Sequence, residues 1–188
     1  MTENRRAPER MIRSALRRRP EAADRMSPQP LVSIVTPVHN GGSFLAECIE
    51  SVLHQTYGDF EYVIVDNASA DDTRDIAERY SSADRRIRVL RNGNKLSMVD
   101  NWNRAMQQVS ERSGYCKVLH ADDLLYPQCL EKMVGLAQRN PRIGIVGSLR
   151  LRGDRIECEG LPRDREIFSG MGVARLFIRQ EVFGFAPT

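Results

Sequence analysis

The chain has 188 residues, 41% of them apolar and 28% charged, the composition of a globular domain large enough for a real core. Its 28 basic and 25 acidic residues leave a net charge of +3, too small an excess to imply a nucleic-acid partner. No run approaches the ~20 consecutive apolar residues that a membrane-spanning helix needs, and the N-terminus lacks the apolar core of a secretory signal.

Residues 1–30 carry eight Arg against four acids and read as a disordered or partly helical leader, broken by Pro20, Pro28 and Pro30. Arg5 to Arg19 can be read as a basic helix touching acidic lipid headgroups or as a solvated tail. Order begins at Leu31. Leu31 to Val35 is a short buried strand closed by Pro37. Gly41-Gly42-Ser43 opens a helix with Phe44, Leu45, Ile49, Val52 and Leu53 on its inner face. Tyr62 to Val65 is the second strand. Ser69 and Asp72 have capping-box spacing before a helix that turns Ile76, Ala77 and Tyr80 inward.

Ile87 to Leu90 is the third strand. Ser97 and Asp100 repeat the capping spacing, and Met98, Trp102, Met106 and Val109 form an apolar stripe on the next helix. Tyr115 to Leu119 is the fourth strand. Pro127 suits the first turn of a helix whose inner face is Leu130, Met133, Val134 and Ala137. Ile143 to Val146 reads as a fifth strand, and the charged stretch from Asp154 to Glu166 as hairpin and loop. Cys48, Cys116, Cys129 and Cys158 form no C-x-x-C pair and read as reduced, mostly buried residues of a cytosolic protein.

Strands alternating with helices of ten to fifteen residues give an α/β/α sandwich with a mostly parallel sheet. Ligands of such sheets bind beyond the carboxyl ends of the strands. Those ends are polar here: Thr36-Pro37-Val38-His39-Asn40, Asp66-Asn67-Ala68-Ser69, the segment with Asn92, Asn94 and Lys95, and His120-Ala121-Asp122-Asp123. The adjacent carboxylates Asp122 and Asp123 suit Mg²⁺ or Mn²⁺, which prefer oxygen ligands and keep phosphate oxygens and waters; they equally suit a helix cap. Neither G-x-G-x-x-G, G-x-x-x-x-G-K nor G-x-S-x-G occurs, which disfavours dinucleotide-binding, P-loop and α/β-hydrolase readings.

The order of these motifs resembles family 2 glycosyltransferases. Ser33 to Asn40 is similar to their first strand and loop, Ser51-Val52-Leu53-His54-Gln55-Thr56-Tyr57 to the end of their first helix, Glu61 to Thr73 to the second strand and its acidic loop. His120-Ala121-Asp122-Asp123 with Tyr126-Pro127 resembles their metal motif. The likeness runs from about residue 31 to 146. It implies a GT-A fold, a nucleotide-diphosphate-sugar donor (a UDP-sugar by default), a divalent metal, and transfer with inversion to an acceptor hydroxyl.

By position, the resemblance implies that Pro37, Val38 and His39 line the nucleobase pocket, His39 standing where an aromatic Tyr is frequent. Asn40 braces the loop. Asp66-Asn67 matches an acidic pair of which one member reads the base. Asp123 is implied as the metal ligand and Asp122 as partner of the ribose or of a metal-bound water; His120 replaces the first acid of the family's D-x-D region. Asn101 matches a loop brace near the donor, and Lys95 meets phosphate as a point charge or is a solvated lysine.

The family's catalytic base lies well past the metal motif, so it is expected beyond Thr188. Residues 31–188 are thus expected to be a GT-A domain that stops before the acceptor part. A catalytically incomplete donor-binding module is the alternative. A nucleotidyltransferase would carry a basic Gly-rich loop after its first strand, where Pro37 to Gly42 has no basic residue. The acceptor is expected to be a glycan, a lipid-linked glycan or a small molecule, the location cytoplasmic with peripheral membrane contact conceivable, and nucleic acid no partner.

Overall fold

A computed structural model describes residues 29–148, 150–157 and 167–173. The Arg-rich leader, Cys158, Glu159, Asp164 and Glu166 lie outside the described residues. The chain divides into two compact units with the boundary between Gly144 and Ile145.

In the first unit, β1 (Leu31–Val38), β2 (Phe60–Asp66), β3 (Ile87–Arg91) and β4 (Ser113–Val118) form one parallel sheet in the order β3-β2-β1-β4. Helices α1 (Leu45–Leu53), α2 (Thr73–Ala83), α3 (Met98–Met106) and α4 (Cys129–Arg139) connect or follow the strands. The chain moves outward from β1 to β3, then returns through α3, which packs on β1 and β2, to place β4 on the other side of β1. The reversal of strand order therefore falls between β1 and β4, where open sheets of this kind leave a crevice.

Strand alternation splits the core in two. Val32, Ile34, Tyr62 and Ile64 face α1, α2 and α4, packing on Leu45, Ile49, Val52, Tyr80, Leu130 and Val134. Val35, Val63 and Val65 face the opposite side and pack on Ala105 of α3. Both faces of β1 and β2 are covered, which is why these strands read as nearly unbroken β-branched runs. Each fully buried Ile, Leu or Val of this set contributes about 1.5–3 kcal/mol of transfer free energy.

Pro37 is accommodated by register. Val35 accepts from the Leu119 N–H, so odd-numbered β1 residues address β4, and that ladder ends at Val35–Val118. The N–H that Pro37 lacks would have pointed past the last pair.

Four expectations are corrected. Phe44 is 57% exposed, because it precedes α1 as its N-cap residue and lies outside the buried face of Leu45, Cys48, Ile49, Val52 and Leu53. The Ser69/Asp72 box does not cap α2: Asp72 makes no side-chain cap bond, and the Ser69 hydroxyl instead accepts the Asn40 N–H at 2.9 Å. The stripe on α3 is not its buried face. Met98 is 74% and Met106 44% exposed, while Asn101 and Ala105 are buried; only Val109, past the helix, joins the core as expected. Segment 143–146 forms no strand: Gly144 interrupts it, Gly147 follows it, and the Ile143 N–H closes a turn on the Asn140 carbonyl.

Among the cysteines, Cys48 is buried and Cys129 half-buried, but Cys116 is exposed because β4 is an edge strand. The Ser97/Asp100 box forms as expected, the Ser97 hydroxyl accepting the Asp100 N–H at 3.1 Å.

In the second unit, β5 (Arg150–Arg152) and β6 (Arg155–Glu157) pair antiparallel around Gly153-Asp154. Gly153 has φ +61°, the positive value a two-residue hairpin of type II′ needs at its first loop position. The hairpin expected in the charged stretch begins here.

Candidate functional site

The four polar segments lie at the carboxyl ends of β1 to β4, and those of β1, β2 and β3 are hydrogen-bonded to one another across the rim. The β2 and β1 loops are joined by Asn67 N–H to the Val38 carbonyl (2.8 Å), Asn40 N–H to the Ser69 hydroxyl (2.9 Å) and Ala70 N–H to Asn40 Oδ1 (2.9 Å). Gly41 N–H donates to Thr73 Oγ1 at 2.8 Å and Gly42 N–H to Asp71 Oδ2 at 2.9 Å. Thr73 and Asp71 are themselves bonded side chain to side chain. Desolvation works to raise the Asp71 pKa, but hydrogen bonds from Thr73 and Gly42 outweigh it and hold the carboxyl below its ordinary value.

This stitching costs backbone freedom. Asn40 and Ala68 both sit at φ +54°, a region Asn tolerates and Ala enters at a cost of about 1–2 kcal/mol. Gly41 is a second constraint: a Cβ there would lie 2.6 Å from Val38 Cγ2 and 3.4 Å from the Ala121 Cβ. Glycine is thus favoured here by the Val38 side chain at the end of β1, whereas the Ala121 distance is ordinary contact with the β4 loop.

A buried amide cluster joins the β2 and β3 loops. Asn67 clamps Leu96 like a ladder partner, accepting its N–H (2.8 Å) and donating to its carbonyl (3.0 Å). Asn92 Nδ2 donates to both Asn67 Oδ1 and Asn101 Oδ1 at 2.8 Å. Asn92 N–H also bonds the Asp66 carbonyl at 2.8 Å. Asn67, Asn92 and Asn101 are all nearly inaccessible, and their bonds fix the loop that presents exposed Lys95.

Asp66 is fully buried. Its Oδ1 accepts the Ser69 N–H at 3.0 Å; its Oδ2 has no hydrogen-bond partner among the described residues and lies 3.7 Å from Arg91 Nε. A cavity of about 480 Å³ reaches Asp66 between α2 and β3, and Arg74, Arg85, Arg88 and Arg91 line it. A buried carboxylate oxygen without a donor costs free energy unless a ligand supplies one. His39 Nδ1 is likewise buried and unpartnered among the described residues. Pro37 is half-buried and Val38 buried, so the β1 end offers a small apolar surface beside these polar atoms.

At the β4 end, the Asp123 N–H closes a turn on the His120 carbonyl at 3.1 Å, leaving Asp122 exposed and Asp123 half-buried. The acidic pair does not cap α4, whose N-cap residue is Gln128. The His120 ring packs edge-on against Trp102 at 4.9 Å, so Trp102 is half-buried against this loop. Among the described residues no three His, Cys, Asp or Glu side chains converge. Two carboxylates alone fit Mg²⁺ or Mn²⁺ only where phosphate oxygens and waters complete the shell. No helix of the described residues is long and apolar enough to cross a membrane.

Sequence reasoning missed Gly41, Thr73, Asp71, Arg91 and the hub role of Asn92. The signal for Asn92 was its place at the end of β3, in line with Asn67 and upstream of Asn101. The signal for Gly41 was a Gly-Gly pair after a strand without any phosphate-loop pattern.

The model of glycosyl transferase family 2 matches residues 33–180, past Val146 where the likeness read from motifs ends. Glycosyltransferase GlyG of Streptococcus pneumoniae is 29% identical over 118 residues, 63% of this chain and 38% of that protein. The putative glycosyltransferase EpsE of Bacillus subtilis is 30% identical over 136 residues, 72% of this chain and 48% of that protein. The chain thus spans less than half the length of these relatives. Staphylococcus aureus TarS 1–349 in complex with UDP has a TM-score of 0.60 at 20% identity, over 70% of this chain and 38% of that one. The mannosyltransferase PcManGT of Pyrobaculum calidifontis, in complex with GDP-Man and Mn²⁺, has a TM-score of 0.52 at 20% identity, over 74% and 41%. At such identities the likeness is one of fold, and the fold is GT-A. With four polar loops gathered at the rim of that fold and the family model covering most of its length, the chain belongs to glycosyl transferase family 2.

Proposed function

We propose that the rim binds the nucleotide-diphosphate-sugar donor of a glycosyltransferase that transfers the sugar, with inversion, to an acceptor hydroxyl. The observation that carries this reading is the buried Asp66 Oδ2, which has no hydrogen-bond donor among the described residues, only the Arg91 guanidinium at 3.7 Å, and which reaches a cavity between α2 and β3. Pro37, Val38 and His39 at the end of β1, which do not line that cavity, are assigned the apolar contact with the base, and Asp66 Oδ2 is assigned the N–H of the base. A uracil imide N–H suits it, so UDP is the default donor nucleotide; the GDP-Man bound by the archaeal neighbour makes guanine the second choice.

Asp123 is assigned to a divalent cation, Mg²⁺ or Mn²⁺, and Asp122 to the ribose or a metal-bound water. When bound there, the cation neutralises charge on the departing diphosphate. Lys95 adds a point charge at phosphate. Asn67 and Asn101 act by holding the β3 loop, Asn40 by holding the β1 loop to the β2 loop. The acceptor hydroxyl, on a glycan, a lipid-linked glycan or a small molecule, loses its proton to a base that the described residues do not supply in this reading. The reaction is placed in the cytoplasm.

Calorimetric titration of the chain with UDP, GDP, CDP and ADP in Mn²⁺ tests the reading. Selective binding of one diphosphate is expected, UDP first. Equal or no binding of all four would contradict it, and binding without transfer from the matching nucleotide sugar would point to a donor-binding module.

A further inference from the structure

Segment 120–128, which carries Asp122 and Asp123, belongs to no helix or strand. Its own backbone offers few bonds beyond the Asp123–His120 and Cys129–Tyr126 turns. Its placement comes instead from α1 and the turn after it. The Cys48 thiol donates to the His120 carbonyl at 3.4 Å, just before the acidic pair. Just after it, the Leu125 N–H donates to Ser51 Oγ at 3.1 Å. Gln55 follows, its Nε2 donating to the Tyr126 carbonyl at 2.8 Å and its Oε1 accepting the Leu130 N–H at 3.0 Å. Thr56 completes the row: its N–H bonds the Pro127 carbonyl at 2.8 Å, and its hydroxyl reaches Glu131 Oε2 at 2.6 Å.

Two of these bonds come from α1 and the rest from the turn after it, and they bracket the acidic pair from both sides. Gln55 is 5% exposed, so its amide spends its donor and acceptor on this segment and on the Ser51 carbonyl behind it. The loop is held at His120 before the acidic pair and at Leu125, Tyr126 and Pro127 after it, which limits how far the four residues between can move.

We propose that Gln55, with Ser51 and Thr56, is a positioning residue for the carboxylates Asp122 and Asp123. It touches neither metal nor donor; it sets where the carboxylates stand. The inference rests on the donor and metal reading given above. Groups that orient a metal ligand from behind change metal affinity by about 10–100-fold when removed.

The test uses the whole chain and Mn²⁺ binding in saturating UDP, followed by calorimetry, with thermal unfolding in parallel. Gln55→Ala, which acts on the backbone beside the carboxylates rather than on the carboxylates themselves, is expected to weaken Mn²⁺ binding by up to about tenfold. Because Gln55 is buried, the exposed Thr56 provides a second arm: Thr56→Val is expected to weaken Mn²⁺ binding with little change in unfolding temperature. Thr56→Ser, which keeps the hydroxyl, is expected to restore it. Hydrogen exchange at residues 121–128 is expected to quicken in the first two variants only. Asp123→Ala separates the outcomes. If it abolishes Mn²⁺ binding while Gln55→Ala and Thr56→Val bind as the parent does, the positioning role is overturned and the metal reading stands. If Asp123→Ala itself binds Mn²⁺ like the parent, the metal reading falls and the positioning role falls with it.

Discussion

Replacing Asn92 tests the amide cluster that holds the β3 loop. Asn67 is oriented by backbone on both sides, since it accepts from the Leu96 N–H and donates to the Leu96 carbonyl. Its Oδ1 is therefore an acceptor, and Asn92 must present Nδ2 to it. Asn92→Leu removes both 2.8 Å bonds. Asn67 Oδ1 keeps the Leu96 N–H, but Asn101 Oδ1 loses the donor it has here, a cost of about 1–3 kcal/mol. Part of that is returned, because Asn92 Oδ1 is itself buried without a hydrogen-bond partner among the described residues.

A net loss of about 1–2 kcal/mol follows, or roughly 0.5–1 M in urea midpoint for a domain of this size. Asn92→Asp is worse at pH 7. It places a carboxylate oxygen against two acceptor oxygens in a site 2% exposed, and a loss above about 3 kcal/mol is expected. Urea unfolding followed by circular dichroism reads both variants. An Asn92→Asp variant as stable as its parent, or more stable than Asn92→Leu, would refute the network as drawn.

Gly41→Ala sets a new Cβ 2.6 Å from Val38 Cγ2, so about 1–3 kcal/mol of overpacking and a displaced β1 loop are expected, read as a lower urea midpoint together with weaker nucleotide binding. Stability is also expected to fall on the alkaline side. Burial pushes the Cys48 thiol from 9.0 up to about 12 and the Tyr57 phenol up to about 12, and raises Tyr62 as well. A folded pKa above the unfolded one means the stabilisation is complete below the unfolded value and lost as pH climbs toward the folded value. Urea midpoints should therefore decline from about pH 9 upward, less steeply in Cys48→Ala. At neutral pH a thiol reagent should modify exposed Cys116 well before buried Cys48.

The sheet was legible because burial on both faces writes runs of β-branched and aromatic residues into β1 and β2, with few polar interruptions. The Ser97/Asp100 cap was legible because both partners sit within one turn. What failed did so for reasons of tertiary origin. The stripe Met98, Trp102, Met106 has helical spacing, yet α3 docks by Asn101 and Ala105. Asn101 can be buried because Asn92 supplies a donor from the previous loop, a partner no periodicity reveals. Ser69 and Asp72 have the spacing of a cap, but the β1 loop claims the Ser69 hydroxyl. Segment 143–146 has apolar β-branched residues, but Gly144 within it and Gly147 after it outweigh them. At the site, residue identity marked Asp66, Asp122 and Asp123. The supports behind them, Gly41, Gln55, Asn92 and Thr73, act through contacts 9 to 75 residues apart in sequence, and although Gln55 and Thr73 stand in recognisable motifs, nothing in those motifs names the partner.

The most direct measurement is the UDP affinity of the chain and of Asp123→Ala, by calorimetry, in Mn²⁺ and then in EDTA. A donor site at this rim predicts tight UDP binding in Mn²⁺ that weakens in EDTA and in the variant alike. UDP affinity equal across all four conditions would contradict metal-assisted donor binding through Asp123.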